Sequence, residues 1–298
     1  MPCYPARPLA GQESVLAAVK IPSSTPVTGI EFAAFDTETT GLDLDADRLL
    51  DVGAVRFRIG MWQRSYASLV RPGRSIPDYS TAIHHITEEM VSDAPPPRQV
   101  LAELCALLDG AVLLAHNAPF DMSVLTLELG RQGMPVPDVA VLDTCVLAEA
   151  VMADQPTLKL GALMRVLGCS ETNDHRALPD ARCLIRLFEH ICAQVPGATW
   201  QHLLDRHGPP FSLREFAQLR VVDQWHFAVA VNAIEERAPV GIAFANGAAH
   251  REVELRPRGF ELREGRWCVV PEKPHPEPVY MDSIASMVKR PRADAPGR

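Results

Sequence analysis

Asp36 and Glu38, in the run DTETTGL, are the first residues in the chain whose types and spacing suit chemistry. Residues two apart in extended backbone leave the same face, so this pair can share one cation. Apolar flanks place it in a buried setting rather than on a solvated strand. Two later stretches add groups of the same kind: HNAPFD, which ends on Asp121, and HRALPDAR, which holds His175 and Asp180. Carboxylates without a cysteine among them suit magnesium or manganese, hard cations that prefer oxygen ligands. Such a set can run in-line hydrolysis of a phosphodiester, with two ions roughly 3.5–4 Å apart. Blander readings stand beside this one. D-x-E pairs are frequent on surface strands, and Asp121 opens an expected helix, where a carboxylate also serves as a plain cap. The His175 and Asp180 pair, taken alone, is commonplace.

These groups need a scaffold, and apolar periodicity outlines one. Residues 30–35 are expected to form a buried strand that stops at Asp36. Residues 51–59 and 63–70 alternate around a Gly-containing stretch and read as an antiparallel hairpin. A helical pattern over 100–108 precedes an apolar strand, 111–115, that runs into His116. Next come a helix over 120–130, a strand over 139–142 reaching Asp143, and a helix over 158–167 closed by Gly168. An amphipathic helix over 181–193 follows, with Asp180 at its start after Pro179. The pattern is α/β, with polar clusters after strand ends.

The three stretches together resemble the DEDDh exonucleases of the DnaQ-like family, typified by the proofreading subunit of bacterial replicative polymerase. DTETTGL matches the first motif, HNAPFD is similar to the second and HRALPDAR to the third, in the family's order. Asp143-Thr144 matches a recurrent pair between the last two. The resemblance covers residues 30–195 and implies a ribonuclease H-like mixed sheet flanked by helices, with 3′→5′ exonuclease activity. It implies that Asp36, Glu38 and Asp180 ligate the ion that activates water, that Asp36 bridges to a second ion, and that Asp121 binds mainly through water. His175 is then the general base, a role suited to an imidazole near neutral pH. Thr39 and Leu42 would border the 3′-terminal nucleotide, with His116, Asn117 and Phe120 on the other wall. Leu42 and Phe120 read equally as core, and Asn117 as a loop holder. One departure lies in AIHHIT, residues 82–87: family members commonly have His-Gly where this chain has His84-His85. If that glycine serves a positive φ or a close substrate approach, His85 reshapes this edge of the cleft.

With 298 residues, 47% hydrophobic and 22% charged, the chain has ordinary globular composition and room for two domains. Residues 1–29 hold five prolines and one short helical pattern near 14–20, and read as an extended arm. Pro196-Gly197 and Gly208-Pro209-Pro210 punctuate the chain. The expected division is therefore a DnaQ-like domain over 30–198 and a small helix plus β-rich domain, α+β in class, over 199–298. The stretch from Ala233 to Val270, followed by VYMDSI, resembles WYL-like domains, which join β-barrels to nucleic-acid enzymes. Residues 251–298 are mildly basic, and Arg251, Arg256, Arg258 and Arg266 either meet phosphates or form a solvated mixed-sign face.

A net charge of −8 argues against a nonspecific DNA coat protein but not against a nuclease, whose bound cations add charge that a residue count omits. The seven scattered cysteines indicate reduced thiols rather than disulfides or a zinc site. Without a long apolar run, the chain is expected to be soluble, cytoplasmic and free of membrane contact. The leading expectation is hydrolysis of single-stranded or frayed DNA from the 3′ end to nucleoside monophosphates, alongside a DNA polymerase or repair partner. An exoribonuclease of the same fold is the alternative, and an inactive nucleic-acid or polymerase-binding module is a third reading.

Overall fold

Three consecutive strands build one side of the main sheet. β1 (Phe32–Thr39), β2 (Leu49–Arg58) and β3 (Met61–Leu69) pair antiparallel in sequence order. β1 and β2 are largely buried, whereas β3, at the sheet edge, is mostly exposed. The described residues of the computed structural model are 21–169, 175–217, 224–244, 252–263 and 266–291. Helices α1 (Asp78–His84), α2 (Glu88–Ser92) and α3 (Pro97–Leu108) come next, α3 beginning on a proline that its first turn tolerates. β4 (Val112–Ala115) then returns parallel to β1, and after α4 (Ala118–Arg131) the strand β5 (Ala140–Asp143) lies parallel to β4. The chain continues through α5 (Thr144–Val151), α6 (Leu160–Val166), α7 (Ala177–Ala193), α8 (Trp200–His207), β6 (Phe211–Ser212) and α9 (Leu213–Phe216). The result is a six-stranded mixed sheet in the order β3-β2-β1-β4-β5-β6, with helices packed on it.

The long amphipathic helix α7 lies across β1 and β2. Phe188 meets Phe32 and Phe57 at centroid distances of 4.7 and 6.3 Å, and all three rings are fully buried. Truncating one such ring typically costs about 3–5 kcal/mol, so this cluster fixes α7, and the polar groups at its start, against the two strands.

The described residues form two compact units. The first holds everything above, apart from residues 154–159, and extends to the end of α9. The expected boundary at 198/199 is thus displaced. Pro196-Gly197 is a turn inside the unit, and β6 pairs antiparallel with β5 through Ala140 and Val141. Residues 21–29 of the expected arm also belong here: Val27 is buried, and backbone bonds join Thr25 to Trp200 and Val27 to Ala198. The helical pattern near 14–20 lies outside the described residues.

The second unit comprises residues 154–159, α10 (Gln224–Glu235) and the strands β7 (Val240–Phe244), β8 (Glu252–Leu255), β9 (Pro257–Arg263), β10 (Arg266–Pro271), β11 (Val279–Tyr280) and β12 (Ile284–Lys289). Two antiparallel three-stranded sheets result, ordered β11-β10-β9 and β12-β7-β8. Among the arginines offered above as phosphate contacts, Arg256 pairs with Glu272 at 3.2 Å and Arg266 with Asp282, while Arg251 lies outside the described residues. Arg290 and Lys289 likewise pair with Glu252 and Glu236. Side chains of both signs are thus paired in this unit. No helix among the described residues is long and apolar enough to cross a membrane, and the described cysteines are free thiols.

Candidate active site

β1 does not stop at Asp36 as the apolar run suggested, because Asp36 and Glu38 continue its pairing with β2, opposite Gly53 and Asp51. Both carboxylates are half-buried on one face of the strand, whereas Thr37 and Thr39 point the other way and are buried. Asp121 lies in the first turn of α4, but the N-cap position belongs to Asn117, so the capping reading does not hold. Its Oδ1 instead accepts hydrogen bonds from the Thr37 backbone N–H at 3.0 Å and hydroxyl at 2.6 Å. This ties α4 to the strand that carries Asp36 and Glu38.

Asp180 is buried in the first turn of α7, which begins at Ala177 rather than at 181. The positive end of that helix favours a carboxylate. His175 precedes the helix, is exposed, and has a left-handed backbone with φ of 50°. One ligand-capable atom from each of Glu38, His175 and Asp180 lies within 4.8 Å of the others. The fields of Asp36, Asp121 and Asp180 overlap as well. Burial, then Asp121, Glu38 and Asp180, raise the Asp36 carboxyl well above the usual carboxylate range. Burial, then Asp180 and Asp121, push Glu38 up to about 8. Burial pushes Asp121 up to about 7 against the two Thr37 bonds. Buried like charges at such close quarters call for positive charge among them.

The Asp143-Thr144 pair holds the loop between β4 and α4. The Asp143 carboxylate accepts from the N–H groups of Asn117 at 2.9 Å and Ala118 at 3.2 Å, and from Cys145 at 2.8 Å. Thr144 bonds His116 Nδ1 at 2.9 Å. Behind them, buried His207 accepts the Asp143 N–H through Nε2 at 2.8 Å. Burial lowers His207 to about 4, which keeps that nitrogen an acceptor. His116 and Asn117 are therefore buried loop holders in this geometry, while Phe120 is half-buried and Leu42 is 60% exposed. Thr39 donates its hydroxyl to the Gly41 carbonyl.

Several neighbours escaped the sequence reading. Tyr79 and Ile83 lie one turn apart on α1, and both are largely exposed. A Cβ at Gly41 would stand 2.7 Å from the Tyr79 hydroxyl, which places that ring beside the loop bearing Leu42. Asp51 and Arg176 form an ion pair at 2.7 Å beside Glu38. The only signals were an acid inside an apolar strand and an arginine next to the motif histidine.

His85 closes α1 with φ of 59°. The chain thus keeps, with a histidine, the left-handed conformation that glycine adopts freely. His85→Gly is expected to raise the unfolding free energy by about 0.5–1 kcal/mol, read from the urea midpoint. A lower midpoint would mean that the exposed imidazole stabilises more than its backbone strains.

A family model described as exonuclease (RNase_T) matches residues 33–188. A relative in Treponema pallidum, DNA polymerase III subunit epsilon, is 36% identical over 167 residues, covering 55% of this chain and 77% of that protein. The chain belongs to the exonuclease family. The family match together with the epsilon-subunit relative makes it a DnaQ-like 3′→5′ exonuclease, a phosphodiester hydrolase. Rhodobacter capsulatus has a DNA polymerase III subunit epsilon-like protein, 38% identical over 196 residues; the match spans 62% of this exonuclease chain and only 26% of the relative. The fold is shared with E. coli exonuclease I in complex with a dA16 oligonucleotide, at 15% identity and a TM-score of 0.52, covering 80% of this chain and 55% of that one.

Proposed function

We propose that this exonuclease removes nucleoside monophosphates from the 3′ ends of single-stranded or frayed DNA, with Asp36, Glu38, Asp121, His175 and Asp180 as its catalytic set. The observation that carries the reading is the meeting of Glu38, His175 and Asp180 within 4.8 Å, in the field of Asp36 and Asp121. The donor set fits divalent cations: the carboxylates repel one another, and the nearby Arg176 is already committed to Asp51. Asp36, Glu38, Asp121 and Asp180 would hold two Mg²⁺ or Mn²⁺ ions, which would supply positive charge to the developing phosphoryl transition state and acidify the attacking water.

The chain's own groups do the rest. His175, at the open side of the cluster, takes the proton from the attacking water as general base. Thr37 keeps Asp121 aimed at β1, and the Asp143 carboxylate keeps the start of α4 in place. Exposed Leu42, with Tyr79 beside its loop and Ile83 one turn along α1, would offer apolar surface on which a terminal base stacks; Thr39 shapes the loop on that side, and Phe120, with His116 and Asn117, would form the other wall. The names of the relatives favour DNA over RNA and a DNA polymerase as partner; a repair partner and a cytoplasmic location belong to the same proposal. The WYL-like stretch would serve as an accessory contact.

Mononucleotide release from matched DNA and RNA oligomers tests this reading. DNA is expected to shorten from its 3′ end, to stop in EDTA and to resume with Mg²⁺ or Mn²⁺. Faster RNA turnover would reassign the substrate, and untouched 3′ ends with added Mn²⁺ would remove the enzymatic reading altogether.

A stability measurement tests cation binding without activity. Glu38 and Asp121 titrate in the metal-free fold near 8 and 7, well above their ordinary values of 4.5 and 3.8. The folded state therefore holds more protons than the unfolded chain, and these groups make stability fall as pH rises toward 8. His207 works in the opposite sense, its contribution being lost as pH falls from 6.5 toward 4. In the window from 6.5 to 8 the carboxylates act alone of these groups. Metal-free protein is expected to melt earlier at pH 8 than at pH 6.5, and Mn²⁺ to raise Tm more at pH 8. A Tm increment independent of pH would contradict binding at these carboxylates.

A further inference from the structure

Asp51 is a buried carboxylate without a part in the scheme above. It stands on β2 directly across from Glu38, its side chain 5% exposed. Its charge adds to the repulsion on Asp36 and Glu38. An acid there opposes the cluster electrostatically, so packing alone does not explain it.

Its contacts lead to the third motif. Asp51 Oδ2 accepts from Arg176 Nε at 2.7 Å, and the Ala177 N–H points at the same oxygen from 3.4 Å. Two residues along β2, Gly53 receives the start of α7 so closely that a Cβ there would lie 2.2 Å from the backbone of Ala177 and Leu178. β2 thus clasps residues 176–178 with an ion pair and a bare backbone. The residue just before this clasp is His175, exposed and left-handed. That conformation costs a non-glycine residue roughly 1–2 kcal/mol and persists only where the surroundings enforce it.

We propose that Asp51 and Arg176 are positioning residues for His175, their ion pair holding the backbone so that the imidazole stays over Glu38 and Asp180. The proposal rests on His175 being the general base. Loss of the pair lets residue 175 relax to negative φ and swings the ring off the attacking water. A misplacement on the order of 1 Å is enough to slow chemistry by about 10²-fold. A different role for Arg176, direct capture of a substrate phosphate, predicts weaker substrate binding instead.

The test uses the full chain with Mn²⁺ and a DNA oligomer. Asp51→Asn with Arg176→Met removes the pair without leaving a buried unpaired charge. This double variant is expected to lose about 10²-fold in kcat while KM moves by less than about threefold. In a His175→Ala background the same two substitutions are expected to change kcat by less than about twofold, because the group they position is gone. Arg176→Lys keeps a charge for Asp51 without the guanidinium fork, and is expected to fall between the wild type and the double variant. It also remains readable should the double variant fail to fold. Mn²⁺ affinity by calorimetry is expected to stay near the wild-type value throughout. An equal loss in both backgrounds, a loss confined to KM, or a loss of Mn²⁺ binding would each overturn the proposal. Failure of the underlying reading looks different: the wild type itself would release no mononucleotide, or His175→Ala alone would leave kcat unchanged.

Discussion

Asp36→Ala and Asp180→Ala are each expected to abolish mononucleotide release, a fall on the order of 10³-fold or more, by removing oxygen ligands that several kcal/mol of charge stabilisation depend on. Calorimetry should show Mn²⁺ binding weakened in parallel. The same substitutions carry an unusual signature in the metal-free protein. Asp36 is strained electrostatically by Asp121, Glu38 and Asp180, and its loss relieves that repulsion. The Asp36→Ala protein in EDTA is therefore expected to melt above the wild type at pH 8, provided that the cavity left by a small side chain costs less than the repulsion removed. Asp36→Asn, which keeps the volume, isolates the charge term and should show the larger gain. An Asp36→Asn protein no more stable than the wild type in EDTA at pH 8 would contradict the repulsion, and unchanged Mn²⁺ affinity in Asp36→Ala would sink its assignment as a ligand.

His175→Ala is expected to slow chemistry by roughly 10²–10⁴-fold while leaving metal binding largely intact. The proximity of its ring to Glu38 and Asp180 makes this a demanding test, since a nitrogen within 4.8 Å of both oxygens is also placed to ligate. The two roles separate cleanly. A base gives a large drop in kcat with Mn²⁺ affinity retained. A ligand gives loss of Mn²⁺ affinity comparable to that in Asp180→Ala, and that result would reassign His175.

The part of the site that sequence made visible was the part governed by local geometry. Asp36 and Glu38 share a face because a strand repeats every two residues, and Asp180 follows a proline because a helix begins there. That these groups and Asp121 converge depends on β4 returning parallel to β1, which spacing alone does not state; the family resemblance supplied it. Tyr79 was missed because α1 is too short to impose an apolar period. Asp51 was missed because an acid on a strand ordinarily faces water, and its partner lies far along the chain. The continuation of β1 past Asp36 was hidden for a related reason: polar residues lower a strand's apolar signal, yet ladder pairing with β2 holds them extended. The division between units was misplaced because proline and glycine mark turns, and a turn does not reveal whether the next segment rejoins the same sheet, as β6 does.

Asp143 has a consequence for anyone who would re-engineer this scaffold. Its one carboxylate accepts from the opening N–H groups of α4 and of α5 together. The two helices are therefore pinned at a common point and cannot be retuned one at a time. A graft that replaces the connection after β5 to change what the cleft accepts would also unseat the turn that presents Asp121, unless the new segment keeps an acid at that position.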